Sequence, residues 1–150
     1  MINIIEQNIL EIESGIICQQ VNCFGGIKGL AAKISVKWPE VKEKYKTLAQ
    51  YYKSNSEWDL LGRVQFVQIN PNLIIANLFS QYDCGTESRK VEYYALSQCL
   101  SKVNVRALSE EMAVYIPYKM SCGLAGGDWN VVSEIINRHS SDIEVYACKI

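Results

Sequence analysis

Apolar residues in this chain fall into two recurring textures. Short, nearly continuous apolar runs alternate with longer stretches in which apolar residues return every three or four positions. The short runs predict strands over 2–5, 15–21, 63–70, 73–79, 113–116 and 142–148. Ile16-Ile17-Cys18-Gln19-Gln20-Val21 and Leu73-Ile74-Ile75-Ala76-Asn77-Leu78-Phe79 have the near-continuous apolar character of strands buried on both faces. Pro71-Asn72 separates two of the runs and reads as a two-residue hairpin, although Pro-Asn is not the best pair for one. The periodic stretches predict helices over 28–36, 39–53, 90–108 and 129–139. Pro39 suits a first helical turn. Val91, Tyr94, Ala95, Leu96, Cys99, Leu100, Val103 and Ala107 recur at helical spacing, and Trp129, Val132, Ile135, Ile136 and His139 form a second stripe. Strands alternating with helices predict an α/β fold in three α/β/α layers around a mixed central sheet of about six strands. The runs 16–21, 74–79 and 114–116 are its expected interior strands. No repeat or linker divides the chain, so residues 1–150 are expected to form a single domain. The longest loop is expected over 81–89, and long loops often carry function.

Composition narrows the partners. Nearly half of the 150 residues are hydrophobic (49%), enough for a substantial core, and the formal net charge is −1. That charge offers no basic field for duplex nucleic acid. Six cysteines are scattered singly, and the opening residues Met1-Ile2-Asn3-Ile4-Ile5-Glu6 lack the form of a secretion signal. These features point to free thiols in a reducing, cytoplasmic setting. His139 is the single histidine and has no neighbours at ligand spacing, so no metal is expected. No cofactor is implied, no apolar run reaches the length of a membrane span, and a monomer is expected.

Two glycine-bearing loops carry the candidate chemistry, each placed after an apolar strand and before a helix. The first is Asn22-Cys23-Phe24-Gly25-Gly26-Ile27-Lys28-Gly29-Leu30, and the second Ser121-Cys122-Gly123-Leu124-Ala125-Gly126-Gly127-Asp128. Glycines let backbone N–H groups converge closely on a ligand, and a helix N-terminus behind them favours an anion. Either loop alone is equally well read as a plain strand-to-helix turn. Two of them on neighbouring strand ends would face each other across a cleft, as a pyrophosphate requires. The spacing matches neither the Rossmann fingerprint nor a P-loop. Lys28 either pairs with a phosphate or opens a solvated helix.

The chain resembles the macro domains, in the branch that includes terminal ADP-ribose protein glycohydrolase and bacterial and phage macro proteins. The matching pieces run along its length: Gln7-Asn8-Ile9-Leu10, Val21-Asn22-Cys23 followed by Gly29-Leu30-Ala31, Ile75-Ala76-Asn77-Leu78-Phe79, and Ile116-Pro117 with Cys122-Gly123-Leu124-Ala125-Gly126-Gly127-Asp128-Trp129. The last is the most specific. The resemblance implies the macro-domain fold and an ADP-ribose cleft between the two loops. It implies a ligand surface of Asn8 and Ile9, of Val21, Asn22, Gly25, Gly26, Ile27, Lys28, Gly29 and Leu30, and of Ser80 and Gln81. To these it adds Ser121, Cys122, Gly123, Leu124, Ala125, Gly126, Gly127 and Asp128, with Tyr146 a candidate to stack on adenine or simply to pack in its strand. Asn8 falls where the family has an adenine-contacting aspartate and keeps a carbonyl acceptor without the charge. The implied partner is ADP-ribose, free or attached to a macromolecule.

The resemblance also implies a catalytic lysine and aspartate, but Ser80 and Ala125 stand at those positions. Neither can act as a nucleophilic amine or a carboxylate base. Asn22 and Cys23 are the remaining catalytic candidates, Asn22 to hold the distal ribose and Cys23 as a nucleophile or merely a small buried side chain. Cys122 sits where loop N–H groups and the helix dipole would lower a thiol pKa. Asp128 reads as an N-cap ahead of a catalyst. His139 reads as a helix C-terminal residue that compensates the dipole. Tyr82 and Asp83 lie in the long loop, where Tyr82 either contacts ligand or faces solvent. Two functions remain open: a weak hydrolase of ADP-ribosyl esters or ADP-ribose 1″-phosphate, and a non-catalytic reader of ADP-ribose.

Overall fold

The computed structural model describes residues 1–55, 57–82, 92–120, 122 and 126–150. Among them are six strands: β1 (Ile2–Ile5), β2 (Gly15–Asn22), β3 (Val64–Asn70), β4 (Leu73–Gln81), β5 (Val114–Pro117) and β6 (Val145–Cys148). Four helices accompany them: α1 (Leu30–Lys37), α2 (Pro39–Asn55), α3 (Tyr93–Glu110) and α4 (Trp129–Arg138). The strands form one mixed sheet in the order β1-β6-β5-β2-β4-β3. Only the β3–β4 pair is antiparallel, and it is the hairpin expected across Pro71-Asn72.

The period-two pattern of the strands decides the layers. Ile16, Cys18, Ile74, Ala76, Leu78, Val114, Ile116, Val145 and Ala147 point to one face, where Leu96, Cys99, Leu100 and Val103 of α3 and Val132, Ile135 and Ile136 of α4 cover them. Ile17, Ile75 and Cys148 point to the other face, under Ile34 of α1 and Val41 of α2. Val21 and Phe79 continue that face under Tyr45 and Ala49 of α2. Each of the large aliphatic side chains so buried contributes about 1.5–3 kcal/mol against the exposed state. The expected interior strands β5, β2 and β4 are indeed adjacent and flanked on both sides.

Several boundaries differ from the sequence pattern, each for a local reason. The last strand begins at Val145 and not at 142, because Asp142 adopts a left-handed φ of 63° that breaks an extended run. The first helix begins at Leu30, since Gly29 at φ 54°, ψ −125° is not helical. The third helix begins at Tyr93, because Glu92 is extended. Its predicted stripe included Tyr94, which is instead 79% exposed beside the buried Ala95 and Leu96; Val91 lies outside the described residues.

Candidate functional site

The connections after β2 and β5 set the position of the site. These two strands are parallel neighbours, so their carboxyl ends lie side by side. The chain leaves β2 toward α1 on one face of the sheet and leaves β5 toward α4 on the other. Adjacent strand ends whose loops diverge to opposite faces open a crevice, the place where open α/β sheets hold ligands.

The first loop is pinned from within. The Asn22 Oδ1 accepts from Phe24 N (2.9 Å) and Gly26 N (3.1 Å), and its Nδ2 donates to the Gly26 carbonyl (3.1 Å). This folds residues 22–26 around one amide, with Gly25 supplying a φ of 83°. The Tyr45 hydroxyl reaches in from α2 and donates to the Asn22 carbonyl at 2.7 Å, with Asn22 Oδ1 and Gly26 O also near, at 3.1 and 3.3 Å. Asn22 is buried, so its amide acts first as the brace of the loop. At the loop's end, Gly29 precedes α1 with no side-chain cap, and α1 has no acidic residue in its first turn. A Cβ at Gly29 would meet nothing within 4 Å, so the backbone here is open to a visitor. The Ala31 and Ala32 N–H groups donate back to the Lys28 and Gly29 carbonyls, so what the helix start offers an anion is chiefly the positive end of its dipole.

A cavity of about 430 Å³ opens beside it, lined by residues 7–10, Gly29, Leu30, Lys33, Pro117, Tyr118 and residues 148–150. Asn8 lies in its wall as the N-cap of a 3-10 turn (Ile9–Glu11), its Oδ1 accepting from Leu10 N at 3.0 Å. Cys148 gives the floor an apolar thiol; burial pushes its pKa up to about 11, so it is neutral at physiological pH. Tyr118 forms the far wall and meets Trp129 edge-on, with ring centroids 5.3 Å apart.

Of the second loop, residues 121 and 123–125 lie outside the described residues, and with them the candidates Ser121, Gly123, Leu124 and Ala125. Gly126 has a φ of 74°. The Asp128 carboxylate accepts from Asn130 N at 2.8 Å and so caps α4, while its own N–H donates to the Tyr93 hydroxyl at 3.0 Å. Cys122 departs from expectation. Burial first and the Asp128 charge second raise its thiol pKa, outweighing the lowering effect of Lys119. The thiol donates to the Met120 carbonyl at 3.4 Å and is not activated.

Other sequence candidates sit apart from the cavity. Cys23 has 0% exposure and is packed with Val21, Tyr45, Ala49, Leu60 and Phe79, so no ligand in the crevice touches its thiol. Val21 is buried in the same cluster, and Ile27 packs against it. Ser80 is also fully buried, because β4 continues through Gln81; its hydroxyl donates to Gln20 Oε1 (3.2 Å), and Gln81 Oε1 accepts from Gln20 Nε2 (2.7 Å). Tyr146 does not line the cavity. It stacks on Tyr115 at 5.3 Å and donates to Glu144, two residues short of the strand end. Lys28 is exposed at the loop's outer side. Tyr82 packs edge-on against Phe24, with centroids 5.0 Å apart, and Asp83 lies outside the described residues. His139 is the C-cap of α4, and the lowering of its pKa works against the charge that would compensate the helix dipole. Burial and then Arg138 lower its pKa, and its Nε2 shares a 2.8 Å hydrogen bond with Ser97 Oγ. Lys33, Tyr118, Cys148 and Lys149 line the cavity unforeseen. Three of them follow or end β5 and β6, and the rule that ligands sit at carboxyl ends would have found them.

No protein-family model and no curated protein matches the sequence. Solved structures do. A Bacteroides thetaiotaomicron protein of unknown function is 32% identical with a TM-score of 0.86, covering 100% of this chain and 98% of its own. A macrodomain protein from Streptomyces coelicolor is 28% identical with a TM-score of 0.77, over 97% of this chain and 98% of its own. This chain is a macro domain. The macro domain also shares its fold with Thermosipho africanus DarTG, solved in complex with ADP-ribose, at 16% identity and a TM-score of 0.77, over 99% of this chain and 41% of that one.

Proposed function

We propose that this macro domain binds ADP-ribose across the crevice between β2 and β5. The adenosine occupies the cavity beside Asn8 and Ile9, with the Asn8 carbonyl oxygen facing the adenine amino group. The diphosphate lies between residues 22–30 and 121–128, against the uncapped start of α1, and the distal ribose lies toward Asn22. The observation that carries this reading is the 430 Å³ cavity between the start of α1 and the carboxyl ends of β5 and β6, bounded by Asn8, Gly29, Leu30 and Tyr118. Pockets of this size and mixed lining suit small ligands. The ADP-ribose complex of a protein with the same fold supports the choice of ligand.

The reading favours a binder of free or attached ADP-ribose over a hydrolase. Among the described residues, the two thiols nearest the loops are buried (Cys23) or raised in pKa (Cys122), and the Asp128 carboxylate is engaged as a cap. Hydrolysis of an ADP-ribosyl ester or of ADP-ribose 1″-phosphate would then depend on a water held by backbone groups, and would be slow. The same proposal takes residues 1–150 as one domain working as a monomer in a reducing compartment, consistent with the free thiols of Cys18, Cys23, Cys99, Cys122 and Cys148. Calorimetry with ADP-ribose, beside turnover assays on ADP-ribose 1″-phosphate and on ADP-ribosylated protein and DNA, tests it. Binding with negligible turnover is expected; rapid release of ADP-ribose would replace the reader by an enzyme, and absence of binding would remove both.

A further inference from the structure

We infer that the adenosine end of this cleft selects a ligand with an additional anion there: ADP-ribose bearing a phosphate monoester on its adenosine ribose. The inference rests on the ADP-ribose reading above and sharpens its substrate class. Among the described residues two ammonium groups line the cavity, Lys33 and Lys149, and no acidic side chain does. The amide side chains that line it with them, Gln7 and Asn8, are neutral. Among the described residues the side-chain ion pairs are Arg106–Glu110 and Arg138–Glu134, on other helices, so neither cavity lysine has a carboxylate partner.

Both lysines are stationed by their surroundings. Lys149 follows β6 directly, and its N–H donates to the Ile5 carbonyl at 2.9 Å, which extends the sheet edge to the cavity rim. Its ammonium stands 5.2 Å from the centroid of the Tyr118 ring, itself a cavity wall braced by Trp129. Lys33 lies on α1 three residues after Leu30, on the same helix side, and so faces the same space. The contrast with Lys37, one turn further, is informative. Lys37 is committed: its ammonium donates to the Leu10 carbonyl and lies 5.0 Å from the Trp38 ring centroid. Lys33 and Lys149 make no such hydrogen bond among the described residues, and two cations in the lining of one cavity leave a positive field that a neutral adenosine does not use. In the proposed pose the diphosphate lies toward the glycine loops. A phosphate on the 2′ or 3′ oxygen of the adenosine ribose is the group that would meet both ammoniums.

The test is calorimetry on the whole chain with three probes: ADP-ribose, its adenosine-2′-phosphate and its adenosine-3′-phosphate. At low salt one of the phosphorylated forms is expected to bind roughly five- to thirtyfold tighter than ADP-ribose, with the advantage shrinking as salt is raised. The ratio of the two affinities is then read in Lys33→Gln, Lys149→Gln and the double variant, and should fall toward one in the double. A ratio of one or less for both isomers on the native chain overturns the inference, as does a ratio that the double variant leaves unchanged. Failure of all three probes to bind would instead overturn the ADP-ribose reading, and this inference with it.

Discussion

The hydroxyl of Tyr45 connects the core of the second helix to the first loop, and its removal should be felt in both. Tyr45 is 2% exposed, with its ring packed against Phe79 and its hydroxyl 2.7 Å from the Asn22 carbonyl. Tyr45→Phe keeps the ring and deletes one atom, so the packing loss is small. What is lost is a buried hydrogen bond, about 0.5–1.5 kcal/mol, plus part of the cost of leaving the Asn22 carbonyl without this donor, which brings the total to about 1–2 kcal/mol. For a domain of this size that corresponds to a fall in Tm of roughly 2–8 °C. The second effect is on binding. Without the hydroxyl, residues 22–26 keep the bonds of the Asn22 amide and of Cys23 N to the Tyr82 carbonyl but lose the tie to α2, and more of the loop's ordering falls to the moment when ligand arrives. We expect ADP-ribose affinity to fall roughly three- to tenfold, about 0.7–1.4 kcal/mol. Urea unfolding and calorimetry, run well below the variant's Tm, separate the two effects. Tyr94→Phe, at a 79% exposed position of α3, is the control and should change stability by less than about 0.5 kcal/mol. Two results would refute the reasoning: an unchanged stability, which would deny the hydroxyl its brace, or a clear loss of stability with undiminished affinity, which would uncouple the loop from the site.

Gly126→Val forces a β-branched residue into a φ of 74° and should cost about 1–3 kcal/mol of local strain, weakening ADP-ribose binding at least tenfold in a folded variant; unchanged affinity would remove the second loop from the site. Asn8→Asp should tighten ADP-ribose by roughly 0.5–1.5 kcal/mol through a charged acceptor for the adenine amino group, and leave an inosine analogue unaffected, so an equal gain on both ligands would mean that Asn8 does not read adenine. His139 has a folded pKa below its ordinary 6.5, so the unfolded chain takes up its proton first as pH falls. Its contribution is present above pH 6.5 and is lost below it, and His139→Gln should flatten the pH dependence of Tm in that window; an identical slope in the variant would show that another group controls it.

The sheet and its cleft edge were legible because buried strands announce themselves. The runs around Ile16 and Ile74 carry near-continuous apolar residues, and no amphipathic alternative competes with that pattern. The stripe of α4 was equally plain at Val132, Ile135 and Ile136. Boundaries were less so, because they turn on single dihedrals: Asp142 and Gly29 end regular structure through backbone angles that hydrophobic pattern does not encode. The glycine loops were visible by composition, yet the fate of the side chains within them was not. Asn22 and Cys23 are adjacent and polar enough to suggest chemistry; the structure folds one amide inward on its own loop and buries the other side chain entirely. Tyr146 shows the strand-packing alternative, because strand alternation aims it at Tyr115, short of the strand end. Lys33 and Lys149 were not legible as cavity residues because they stand more than a hundred residues apart and come to line one cavity through the parallel pairing of β1 with β6 and the path of α1.

A row of amides explains how the loop is held to a sheet that is otherwise apolar. On the face under α1 and α2, period-two alternation would place apolar side chains at 19, 65 and 77, and the chain has Gln19, Gln65 and Asn77 instead. Gln19 Nε2 donates to Asn77 Oδ1 at 2.7 Å, Asn77 Nδ2 donates to Gln65 Oε1 at 3.0 Å, and Gln65 Nε2 donates to the Lys44 carbonyl at 3.0 Å. The row therefore crosses β2, β4 and β3 and ends on the backbone of α2. Apolar packing alone leaves a helix free to slide by fractions of a turn over a sheet of similar side chains, whereas hydrogen bonds of fixed length do not. The cost is visible at the other end of the row, where Gln19 Oε1 is buried with no partner among the described residues and forfeits about 1–3 kcal/mol. What that cost fixes is the residue after Lys44. With the Lys44 carbonyl tied to the sheet, Tyr45 is held where its hydroxyl reaches Asn22, and the geometry of the first loop follows from the register of the central strands.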